Sequence, residues 1–169
     1  MSWLNNWIQW SQPLTDKKNR AIPEQENYHG SCLCDSVHYE IRPPYFTFQY
    51  CHCSRCRKAT GSSHASNIIL PPKQFSWTQG ENLVARYEPA SSKHFATSFC
   101  KNCGSTLPWL AKTGKAIVIP AGTLDEHPNI TPKQNIFWAS RAPWFELPHK
   151  LKAFPTLPGK SNACLLDDD

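Results

Sequence analysis

No run of apolar residues in this sequence approaches the ~20 needed to cross a bilayer, so a membrane-spanning helix is not expected. The N-terminus lacks a basic region followed by an apolar stretch and a small-residue cleavage site, which argues against secretion. Glycine is scarce, at 7 residues against 15 prolines, and that balance disfavours long helices in favour of short strands joined by many turns. There is no long basic run for a nucleic acid to grip, and no internal repeat is found.

What is present fits one domain with tails. The chain has 169 residues, enough for a single core of ordinary size, and 40% of them are hydrophobic and 12% aromatic, so a packed, mainly β fold is expected. The formal charge of +5 counts every cysteine as neutral. Seven thiolates on two divalent ions would bring it to roughly +2, which weakens any case for a polyanion partner. A soluble protein of the reducing cytoplasm is expected, and there closely spaced cysteines are more often metal ligands than disulfides.

Residues 1–27 read as an extension. Trp3, Leu4, Trp7 and Ile8 recur at helical spacing, which predicts one short amphipathic helix ending before Pro13. Its tryptophans are expected to dock on the domain or on a second copy of the chain, giving a route to a homo-oligomer. Membrane-surface binding is disfavoured because that helix carries no basic residue. TDKKNRAIPEQEN then reads as a polar linker.

The domain is expected over 28–146, with strands at VHYEI, YFTFQY, HASNIIL, QFSW, LVARYE, HFATSF and AIVIPAG. SRCRKATG is expected to form a helical turn stopped by Gly61. Residues 147–169, rich in proline and closing on three aspartates, read as a tail.

Seven of the eight cysteines fall into three groups: Cys32 and Cys34 in GSCLC; Cys51, Cys53 and Cys56 in CHCSRC; Cys100 and Cys103 in FCKNCGS. Residues two apart in a strand share a face, so each Cys-x-Cys pair can clamp one ion, and His52 should point away from it. Cys-x-x-Cys-Gly suits a tight turn in which Gly104 accepts a positive φ. Thiolates select zinc or an iron–sulfur cluster over magnesium or calcium. Structural zinc takes four protein ligands and catalytic zinc commonly three, so seven divides as four plus three.

That division assigns Cys32, Cys34, Cys100 and Cys103 to a closed structural ion and Cys51, Cys53 and Cys56 to an open, catalytic one. The plainer alternative for the three-cysteine group is a second structural site closed by a histidine such as His29, His64 or His94, or an incidental cluster. A disulfide or an iron–sulfur cluster also stays open, and Cys164 is treated as a spare thiol.

In order and spacing, GSCLCDSVHYEI, YCHCSRCRKATGSS, FCKNCGSTL, AIVIPAGTLDE and APWFE resemble the glutathione-dependent formaldehyde-activating family, which includes centromere protein V. The resemblance covers roughly Tyr28 to Glu146. It implies a β-tent-type fold of short antiparallel strands, a structural zinc and a second zinc on the Cys-x-Cys-x-x-Cys segment, and these match the four and three cysteines named above. Two departures stand out. Asp35 replaces a usual glycine, and Gln134-Asn135-Ile136 replaces a usual histidine-isoleucine.

The resemblance also implies a carbon–sulfur lyase that joins glutathione or another thiol to formaldehyde or a related small carbonyl. Arg55, Arg57 and Lys58 are candidates to meet substrate carboxylates, although a solvated basic turn explains them equally well. Thr60, Ser62 and Ser63 are weaker candidates as hydrogen-bond donors. The rival class is a non-catalytic zinc module associated with chromatin or protein.

Overall fold

The computed structural model describes residues 27–146 and 150–157, so the tryptophan-bearing N-terminal segment and Cys164 lie outside the described residues. In chain order the elements are β1 (Tyr28–Ser31), β2 (His38–Ile41), β3 (Thr47–Cys51), α1 (Ser54–Thr60), β4 (Ala65–Leu70), β5 (Phe75–Gln79), β6 (Val84–Tyr87), β7 (Thr97–Cys100), β8 (Thr106–Leu107), β9 (Trp109–Leu110), β10 (Ile117–Pro120) and β11 (Gln134–Ile136).

Every strand segment expected from the sequence is found, and β1, β8, β9 and β11 are additional. These four are two to four residues long, too short to show a period-two pattern of their own.

The strands form three small sheets, ordered β1-β2-β5, β11-β3-β4-β10-β9 and β6-β7-β8. All neighbours pair antiparallel except β11, which runs parallel to β3 and sets Ile136 opposite Cys51. That one pair departs from the antiparallel pattern expected of the chain.

The main core lies where the first two sheets meet. In β2, Tyr39 and Ile41 are fully buried while His38 and Glu40 are half-buried, the alternation of a strand with one face on the core. Ile68 and Leu70 of β4 and Ile117 and Ile119 of β10 pack with them. Each fully buried aliphatic side chain of this kind contributes roughly 1.5–3 kcal/mol. Gly30 lies opposite Tyr39, and a Cβ there would overlap the Tyr39 ring, so glycine lets β1 approach the core.

α1 is one short helix between β3 and β4. Gly61 ends it at φ 62°, donating its N–H to the Arg57 carbonyl, which is the stop expected from the sequence.

Candidate metal centres

Two groups of sulfur atoms converge in this fold. The first joins the turn after β1 to the turn after β7. Cys32, Cys34, Cys100 and Cys103 bring their Sγ atoms within 4.8 Å of one another. Cys32 and Cys34 are 3.5 Å apart and Cys34 and Cys100 are 3.9 Å apart. A tetrahedron of thiolates with metal–sulfur bonds of ~2.3 Å has edges of about 3.8 Å, so the spacing fits a four-coordinate ion.

The local backbone explains the convergence. Val37 N–H donates to Cys32 Sγ at 3.3 Å, and the Leu33 N–H donates to Ser105 Oγ at 3.0 Å, stitching the two turns together. Gly104 takes φ 75° and donates to the Cys100 carbonyl at 2.9 Å, as the Cys-x-x-Cys-Gly motif requires. Asp35 adopts φ 61°, in the left-handed region that aspartate tolerates better than most residues.

Hydrogen bonding with Ser105 draws the Cys103 thiol down to about 6, while burial pushes Cys32 up to about 11.

The second group sits where β3 meets α1. Cys51 ends the strand, Cys53 caps the helix by accepting the Cys56 N–H at 3.4 Å, and Cys56 lies on the first turn. Their three sulfurs also lie within 4.8 Å of one another, and all three residues are buried. Ala65, Phe95 and Ile136 pack around them. Hydrogen bonding with Cys56 draws Cys51 down to about 6, and the same sharing together with burial pushes Cys56 far upward. Three buried sulfurs this close form a donor set that suits a thiophilic metal ion.

His52 is fully buried and turned to the other face, as its place between two strand-spaced cysteines requires. Its ring packs on Trp138, Phe145 and His64 at centroid distances of 5.0, 5.2 and 5.2 Å, and its Nε2 hydrogen bonds Asn135 Oδ1. The other candidate histidines also stay apart from the thiols. His29 Nδ1 pairs with Glu126 at 3.0 Å, His64 Nδ1 pairs with Ser63 at 2.8 Å, and His94 joins neither sulfur group. Among the described residues, no histidine or carboxylate completes the three-sulfur group, and all seven cysteines are free of disulfides.

The family model for glutathione-dependent formaldehyde-activating enzymes matches residues 27–140, a span that contains both sulfur groups. The chain belongs to that family. Over 93 residues it is 34% identical to a Schizosaccharomyces pombe protein named as an uncharacterized lyase. That match covers 52% of this chain and 61% of the relative, less than two thirds of its length. A crystal structure of a Rhodobacter sphaeroides protein shares the fold, with a TM-score of 0.50 at 17% identity over 63% of this chain and 98% of that one.

The basic residues beside the three cysteines divide. Arg55 is exposed, with its guanidinium 6.0 Å from the centroid of Phe95, the ring that packs on the sulfur group. Lys58 is exposed, and Arg57 is half-buried with its Nε enclosed and without a hydrogen-bond partner among the described residues. Both lie in the last turn of α1, where a cation complements the helix dipole. Thr60 spends its hydroxyl on the Cys56 carbonyl at 2.9 Å, and Ser62 is exposed.

Sequence reasoning missed the surroundings of Cys56. A cavity of about 30 Å³ adjoins it, lined also by Asn67, Phe95, Thr97, Thr106 and Trp109. The one legible signal was Asn67 itself, an amide directly before the apolar run Ile68-Ile69-Leu70.

Proposed function

We propose that this family member is a zinc-dependent carbon–sulfur lyase that makes and breaks the adduct of a thiol, glutathione or a relative of it, with formaldehyde or a related small carbonyl. The observation that carries this reading is the convergence of the Cys51, Cys53 and Cys56 sulfurs beside a small cavity, with no fourth donor among the described residues. Family membership and the lyase-named relative support the reaction class.

In this reading Cys32, Cys34, Cys100 and Cys103 hold a structural ion, and Cys51, Cys53 and Cys56 hold the working one. An ion held by Cys51, Cys53 and Cys56 would supply a Lewis-acidic position able to keep a substrate thiol as thiolate at neutral pH. The chain's own part is to bury that position, exclude bulk water and align the two reactants. The substrate sulfur adds to the carbonyl carbon, a carbon–sulfur bond forms, and the π electron pair moves to the oxygen, which takes a proton to give a hydroxymethyl thioether. Reversal releases thiol and aldehyde. Arg55, at the rim over Phe95, is the best placed of the three basic residues to meet a carboxylate of glutathione.

The test is exchange spectroscopy on glutathione with formaldehyde. Zinc-loaded protein is expected to accelerate exchange between free glutathione and S-hydroxymethylglutathione above the spontaneous rate, and Cys53→Ser is expected to abolish the acceleration. A fully loaded wild-type protein that leaves the spontaneous rate unchanged contradicts the reading.

A further inference from the structure

We propose that Asn67 holds the oxygen of the one-carbon unit, donating its side-chain N–H to that atom while the carbon faces the thiol held at the three-cysteine site. This assignment rests on the lyase reading above and names the group that receives the carbonyl.

Three observations carry it. The first is register. Cys51 pairs with Ala65 and Gln49 pairs with Asn67 across β3 and β4, so Asn67 shares a face with Ala65 and Cys51. It stands about 7 Å further along the strand. Ala65 offers only a methyl group, which leaves room between the amide and the sulfurs.

The second is burial. Asn67 is a polar residue only 7% exposed, and it lines the cavity that Cys56 also lines.

The third is the space it lines. The cavity of about 30 Å³ joins Asn67 to Cys56, walled by Phe95 and Trp109, whose rings lie 5.4 Å apart. A space of that size admits a molecule about as large as water. It suits a one-carbon carbonyl.

The chemistry agrees with the placement. As the substrate sulfur adds to the carbon, negative charge gathers on the oxygen before it is protonated. A fixed N–H in a water-poor pocket stabilises that charge, and loss of one such donor typically costs 10²–10³-fold in turnover.

Two experiments on the zinc-loaded full chain test this. Asn67→Ala and Asn67→Ser are expected to lower kcat roughly 10²-fold while zinc content and melting temperature stay close to those of the wild type. In ¹⁵N-labelled wild type, the Asn67 side-chain amide resonance, identified by its absence from Asn67→Asp or Asn67→Ser, is expected to move on addition of S-hydroxymethylglutathione and to stay put with S-methylglutathione, which lacks the oxygen. Wild-type rates in the variants, or an amide indifferent to the hydroxyl while wild type turns over, overturn the assignment and leave the lyase reading standing. A wild type that neither binds nor forms the adduct overturns both.

Discussion

Asn135 accepts a hydrogen bond of 2.9 Å from His52 Nε2 across 83 positions of sequence. The bond ties β11 to the residue between two cysteines of the three-sulfur group, and the His52 N–H reinforces it by donating to the Ile136 carbonyl at 3.0 Å. His52 Nδ1 is buried with no partner, so Asn135 supplies the only hydrogen bond the ring makes among the described residues. Asn135 therefore orients the backbone that presents Cys51 and Cys53.

A double-mutant cycle tests this pairing. Asn135→Leu is expected to cost about 1–3 kcal/mol, because it leaves a buried imidazole with both nitrogens unpaired. His52→Phe leaves the exposed Asn135 amide to water, so the loss of Asn135 is expected to cost little in that background. The double variant is expected to recover at least about 1 kcal/mol relative to the sum of the singles, measured by denaturant unfolding. Strict additivity would show that the two side chains are not coupled.

Cys32→Ala removes one corner of the four-sulfur group. A structural ion in such a site contributes on the order of 10 kcal/mol to folding, which matches the whole stability of a typical domain. The variant is expected to lose the cooperative thermal transition and to purify with little metal. A sharp melt with full metal content would show that the four-sulfur group is not what holds the two turns together.

Asp35 offers a gentler probe of the same site. At φ 61° its backbone lies where a β-carbon costs roughly 1–2 kcal/mol, a penalty asparagine and aspartate bear better than most residues. Asp35→Gly is expected to hold or raise the melting temperature, and Asp35→Ala to lower stability by about 1 kcal/mol. A lower melting temperature for Asp35→Gly would show that the Asp35 carboxylate contact with His38 at 3.2 Å outweighs the backbone strain.

Much of this molecule was legible in its sequence because the signals were local. Alternation marks Tyr39 and Ile41 as one buried face, Gly61 stops α1 where a positive φ is needed, and Cys-x-Cys spacing turns His52 away from the sulfurs. Cysteine chemistry alone was enough to divide seven thiols into four and three, and the fold brings together those two groups.

What escaped depends on contacts between distant segments. β11 has three residues and becomes a strand only because β3 offers it an edge. Trp109 and Thr106 reach the cavity at Cys56 through β8 and β9, strands of two residues each. Asn67 was visible as an amide directly before an apolar run, but that it shares the face of Cys51 follows from the β3–β4 register, which no local pattern encodes.

The central claim is that Cys51, Cys53 and Cys56 form an open site that takes up a thiol, and metal stoichiometry with cobalt substitution tests it most directly. Elemental analysis is expected to give two zinc ions per wild-type chain and one in Cys53→Ser, and the thiolate-to-cobalt bands of the wild type are expected to shift when glutathione is added. One ion per wild-type chain, or two whose cobalt bands ignore glutathione and every other thiol, would contradict it.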